Sequence, residues 1–160
     1  MTRITNENAV RLAGAELGRA RHACAFFHTR DEEYAITMPF IKEGFDLNDR
    51  AFHIVDPQMK ADHFQRLADQ GLDVAGLQAA GSLEVRQWDE AYLRGGRFDQ
   101  NAMLHLIEEV LIAGTAKGYR LTRLVANMEW ALEDRPGVSD VVEYETRLNY
   151  LLPKYDDAVT

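Results

Sequence analysis

The chain has 160 residues, enough for one domain with an ordinary core, and its 46% hydrophobic and 28% charged residues exclude a disordered polyelectrolyte. The formal net charge is -8 and the basic residues are scattered (Arg19, Arg21, Arg50, Lys60, Arg94, Arg97, Arg120, Arg123), which leaves no basic patch for a nucleic-acid backbone. The single cysteine, Cys24, rules out an internal disulfide, and no apolar run approaches the ~18 residues of a membrane span. The expectation is a cytoplasmic domain that contacts neither nucleic acid nor membrane directly.

In chain order, residues 1–20 read as a helical or loosely ordered segment, weakened by Gly14 and Gly18. His22-Ala23-Cys24-Ala25-Phe26-Phe27 is a short apolar run and reads as a buried strand. Thr29 with Glu32 has capping-box spacing for a helix that places Tyr34, Met38, Ile41 and Phe45 on one face, with Pro39 expected to kink it. A second strand, Ala51–Val55, meets Asp56-Pro57, a good helix start, and that helix runs to Ala68 before Gly71. Residues 82–88 alternate as a third strand, and 89–98, with Gly95-Gly96, form a loop. Asp99 caps the longest helix, with Met103, Ile107, Val110, Leu111 and Gly114 as its apolar stripe and Gly118 as its stop. A fourth strand is centred on Leu124-Val125-Ala126, and a last helix starts near Ser139 and ends before Pro153.

Strands separated by helices imply a three-layer α/β domain: a mostly parallel sheet with helices on both faces. Ligands of such folds bind beyond the carboxyl ends of the strands. Those ends carry Phe27 and His28, Asp56, Trp88, and Glu129 with Trp130. A phosphate-binding loop, G-x-x-x-x-G-K-[ST] between a strand and a helix, is absent, and so is G-x-G-x-x-G. Gly114-Thr115-Ala116-Lys117-Gly118 has suitable residue types at the wrong spacing and ends a helix, so an ordinary nucleotide hydrolase is excluded and no cofactor is expected.

Several groups invite chemistry. His22 and Cys24, two apart on the expected strand, share a face and suit a soft metal or a redox pair, although the other ligands of a closed site are missing; a core cysteine beside a hydrogen-bonded histidine is the plainer account. Glu129 and Trp130 either face a ligand or form a capped turn with an arginine such as Arg123 or Arg135. On the last helix Val138, Val141, Val142, Leu148 and Leu152 define the apolar face, and Glu145 and Asn149 sit on or beside it. A buried carboxylate needs a partner, either an interior network or a ligand. Tyr92 and Arg97 flank Gly95-Gly96, as either a lid over the cleft or a connector with its aromatics packed down. His28, His53, His63 and His105 show no ligand spacing.

The run 22–27, the helix through Pro39 and Gly44, Arg50 to Asp56, Tyr92-Leu93 with Gly96-Arg97-Phe98-Asp99, Met128-Glu129-Trp130, and Tyr144-Glu145 with Leu148-Asn149 together resemble the MEDS family, the methanogen/methylotroph DcmR-type sensory domain, over about residues 15–155. The resemblance implies a RecA/KaiC-like fold that has lost its phosphate-binding loop. It also implies a sensory module attached to an output domain, responding to small hydrocarbon derivatives. Family members continue past Leu152-Pro153 into a further strand and short helix, so 21–160 is expected to be one sensory domain that is short or truncated at its C-terminus.

These readings converge on a non-enzymatic sensory domain. Its ligand site is expected to comprise Phe27, His28, Asp56, Trp88, Tyr92, Arg97, Glu129 and Trp130, supported by Glu145 and Asn149. It would take a small organic ligand and signal to a protein partner or fused output domain. The alternatives are a protein-interaction module working through homodimerisation, and a redox or metal sensor built on His22 and Cys24.

Overall fold

A computed structural model describes residues 9–18 and 21–155, together with the backbone of 158–159. The chain opens on a two-stranded antiparallel hairpin, β1 (Val10–Leu12) and β2 (Ala15–Leu17), rather than a helix. Its two-residue turn, Ala13-Gly14, has both φ angles positive (51° and 78°), the geometry that matches strand twist in tight hairpins. Gly14 is therefore a turn residue here and not a flaw in a helix. The rest of the expected N-terminal helix, residues 1–8 and 19–20, lies outside the described residues. Val10 is fully buried, and Arg11 pairs with Glu43.

The main sheet is parallel. Its strands are β3 (Arg50–Val55), β4 (Leu83–Gln87), β5 (Thr122–Ala126) and β6 (Ala158–Val159), in the order β4-β3-β5-β6. Alternation along β3 divides the core into two. Ala51 and Val55 face a cluster with α1 (Arg30–Asp46), α2 (Lys60–Asp69) and α3 (Val74–Ala80). Phe52 and Ile54 face a second cluster with α4 (Gln100–Ala116) and α5 (Val141–Leu151). The α/β architecture with helices on both faces is thus present. The short helix α3 has no counterpart in the sequence reading; Asp73 caps its first turn and Gly81, at φ 76°, ends it.

Local signals carry most of these elements. Thr29 accepts from the Glu32 amide at the start of α1, while the Glu32 carboxylate reaches back to the His28 amide. The helix is continuous through Pro39. Asp99 accepts from the Asn101 and Ala102 amides, and the whole stripe read for α4 is buried. On α5, by contrast, Val142 is 77% exposed and Tyr144 takes the inward position beside Leu148.

Residues 22–27 form no strand. Residues 23–26 are exposed, Phe26 to 90%, and Cys24 is a free exposed thiol. A short apolar run says that burial would be favourable, but not which sheet edge will pair with it. Here β3 is paired on both sides, and β5 is paired to β3 and, at Thr122 and Arg123, to β6. The run is held instead through a side chain, described below.

Two arginines read as part of a scattered surface charge are interior. Arg123 is 1% exposed, donates to Asp49 at 2.7 Å and to the Phe40 carbonyl, and stacks on the Phe40 ring. Arg50 is 4% exposed, donates to the Val110 carbonyl of α4 and pairs with Glu84. Each guanidinium ties a strand to the helix above it.

Candidate functional site at the strand ends

Asn127, just past β5, organises the carboxyl end of the sheet. Its amide donates to the Ile54 carbonyl of β3, and its carbonyl accepts the Trp88 indole N–H at 2.8 Å. Its side-chain amide donates to Glu33 on α1 at 2.8 Å. Glu33 is only 8% exposed and also receives Arg30, which in turn reaches Glu129 at 2.6 Å. A buried carboxylate is tolerable only with such partners. Glu129 therefore pairs with Arg30, not with Arg123 or Arg135.

Beside this network lies a relay inside the α1–α2 face. The Tyr34 hydroxyl is 2.6 Å from His63 Nδ1, and His63 Nε2 is 2.9 Å from His53 Nδ1. His53 belongs to β3 and is 1% exposed; His63 belongs to α2 and is 3% exposed. Burial holds both imidazoles neutral, taking His63 down to about 4 and His53 well below its usual range, where the neighbouring His63 adds to the effect. Burial likewise pushes the Tyr34 phenol up, with Glu33 and Asp62 adding to it. A chain of neutral donors and acceptors satisfies every ring nitrogen it uses.

On the opposite face the aromatic rings collect. Tyr92, Phe98, Trp130 and Tyr144 are 4%, 0%, 0% and 1% exposed. Trp130 stacks at a tilt against Tyr92 and Phe98, with centroids 5.0 and 5.1 Å away, and Tyr144 meets Tyr92 and Phe98 edge-on. Burial raises both phenols, and the Glu145 carboxylate nearby raises them further. At the rim His22 closes the arrangement: its Nδ1 is 2.9 Å from Asn149 Oδ1 and its Nε2 is 3.0 Å from Glu145 Oε2. The hydrogen bond to Glu145 raises the His22 pKa, against the opposing effect of burial.

The site residues read from the sequence divide accordingly. Trp130 and Tyr92 are in the aromatic cluster, with half-buried Glu145 and exposed Asn149 beside it and His22 as the partner they share. Trp88 and Glu129 flank the Asn127 network, while Asp56 caps the turn after β3 by accepting from the Gln58 amide. Phe27 is half-buried, and His28 and Arg97 are exposed. The 89–98 segment packs its aromatics down. Cys24 does not share a strand face with His22, and among the described residues no three His, Cys, Asp or Glu side chains form a metal-holding group. Two open grooves lie elsewhere, one between α4 and α5 near His105 and Tyr150, the other along α1 near Pro39 and Lys42.

Arg30, Glu33, Asn127, Tyr34, His53 and His63 stand outside the site expected from the sequence. His53 carried a usable signal: it lies between Ala51 and Val55 in a strand apolar on both faces, so burial, and hence a partner, was implied.

Fold and site together define a parallel α/β domain whose strand ends are filled by its own polar and aromatic side chains, with no phosphate-binding loop. Residues 21–160 match the family model described as "MEDS: MEthanogen/methylotroph, DcmR Sensory domain", and the chain belongs to that family. It is similar to the transcriptional repressor DcmR of Methylorubrum extorquens, at 26% identity over 149 residues, 93% of this chain and 53% of that protein. The chain thus spans about half the length of that relative. No solved structure matches it. Among the described residues no helix is long and apolar enough to cross a membrane.

Proposed function

We infer that this domain is a non-catalytic sensor for a small organic molecule, built on a RecA/KaiC-like layout without its phosphate loop, and that it regulates transcription from the cytoplasm through an attached output domain or partner. The observation that carries this reading is the closure of the strand ends: the place where a parallel α/β fold ordinarily binds its ligand holds four packed rings latched by His22 to Glu145 and Asn149. A sensor needs two states, and a latched, locally closed cluster supplies one that a ligand can displace. The similarity to a transcriptional repressor supports the regulatory output.

A thermal-shift screen of small organic compounds tests the reading. A ligand at about 100 times its Kd raises the melting temperature by roughly 5 °C or more in a domain of this size. A screen without any saturable rise refutes the sensory reading. The filled strand ends also favour a second reading, an interaction module acting through dimerisation. It predicts a mass that rises with concentration in size exclusion with light scattering, with no ligand needed.

A further inference from the structure

The Trp130 indole is fully buried, yet its Nε1–H has no hydrogen-bond acceptor. An unmade bond at a buried donor costs about 1–3 kcal/mol, so native proteins rarely leave one. The neighbouring rings do not replace it: Tyr92 and Phe98 lie tilted by 37° and 40° to the indole plane, whereas an N–H pointing at a ring face needs a nearly perpendicular arrangement. The other tryptophan shows the ordinary case, Trp88 donating to the Asn127 carbonyl.

The backbone of the segment that carries Tyr92 is suited to moving, and its side-chain ties are the Tyr92 hydroxyl's bond to Tyr144 and the Trp88 indole's bond to Asn127. Between Trp88 and Gly96 its backbone bonds are internal, Ala91 and Leu93 to Trp88 and Gly96 to Leu93, and the segment ends at Gly95 and Gly96, both at positive φ (73° and 81°). Beyond it the chain is fixed again, because the Phe98 amide donates to the Pro136 carbonyl and Gly137 leaves no room for a Cβ against that strand of chain. Displacing Tyr92 thus opens a ring-sized space walled by Trp130, Phe98 and Tyr144.

We propose that this aromatic cluster is the ligand site, and that it takes a small uncharged organic molecule bearing one hydrogen-bond acceptor, which enters as Tyr92 moves aside and accepts from Trp130 Nε1 at the edge of the indole. This rests on the sensory reading above. The charge class follows from the walls. The orphan N–H presents positive potential and disfavours a cation. The rim carries no net charge to hold an anion, because the Glu145 carboxylate there is paired with His22 at 3.0 Å. Three apolar ring walls supply the affinity for a hydrocarbon body.

Indole N–H spectra of the tryptophan-labelled domain test it, with cyclohexanone as the acceptor probe, cyclopentane as the probe without one, and tetramethylammonium as the cation. Cyclohexanone moves the Trp130 signal downfield and saturably, leaves Trp88 in place, and binds about fivefold tighter than cyclopentane. In Trp130→Phe, checked for folding by circular dichroism, that preference falls to near unity. Saturable binding seen only at residues away from Trp130 overturns the site while leaving the sensory reading intact. Tetramethylammonium binding better than cyclohexanone overturns the ligand class. If neither cyclohexanone nor any hit from the thermal-shift screen moves the Trp130 signal, the proposal fails.

Discussion

His22 Nε2 lies 3.0 Å from Glu145 Oε2, so the stretch before α1 is ion-paired to the middle of the last helix. The pair raises the His22 pKa, chiefly through the hydrogen bond to Glu145, so its contribution is fully present below about 6.5, the unfolded value. It is lost as pH rises through the higher folded value. His22→Ala should therefore cost up to about 1 kcal/mol near pH 6, screened by its partial exposure, and progressively less toward pH 9. Paired denaturant curves of the two proteins across that range measure it, and a gap that stays constant or widens with pH contradicts the assignment.

The buried histidine relay has the opposite sign. With His63 held at about 4, the unfolded chain binds the extra proton first as pH falls, so stability is complete above about 6.5 and drains below it. The shift corresponds to roughly 3 kcal/mol lost by pH 4 from His63 alone. His63→Gln keeps polar groups near Tyr34 and His53 but does not titrate there. Its unfolding free energy should fall less steeply between pH 6.5 and 4.5, even though its stability at pH 7.5 is lower.

These two histidines show what the sequence does and does not make legible. β3, β4 and β5 are readable because alternating or continuous apolar runs bounded by turn residues leave little choice, and α4 because Asp99, the stripe and Gly118 agree. Residues 22–27 are not, since the preference for burial says nothing about which edge is free. Glu145 announced itself as a carboxylate on an apolar face, but its partner stands far back in the chain, as does His22 from Asn149, 127 residues away. Partners joined only by the fold leave no local pattern, and the same holds for Glu33 with Asn127.

Gly114 gives a test of helix against strand. Alanine inside a helix ordinarily stabilises by about 1 kcal/mol relative to glycine. Here a Cβ would lie 2.2 Å from Thr122 Oγ1, with Arg50 Cδ behind it at 3.7 Å, so α4 must lift off β5. Overpacking of this kind costs about 1–3 kcal/mol, and Gly114→Ala should lower the denaturation midpoint. A rise would mean that the helix stands further from the sheet.

Asn127 is the residue whose loss should spread furthest at the strand ends. Its backbone bonds to Ile54 and Trp88 survive truncation, but its side chain is one of two groups holding the buried Glu33 carboxylate, and the other, Arg30, is shared with Glu129. Asn127→Ala should therefore cost about 1–3 kcal/mol through a half-satisfied carboxylate, while the Trp88 indole signal keeps its position. Asn127→Asp should be worse at neutral pH, because it sets a second carboxylate against Glu33 with one guanidinium between them. Protonating the new carboxyl at position 127 relieves that repulsion, so the gap between the two variants should close as pH falls toward the carboxylate range. Denaturant midpoints of both variants at pH 7 and pH 5 decide it: an Asp variant no less stable than the Ala variant at pH 7 would mean that Glu33 has partners other than the two that hold it in this arrangement.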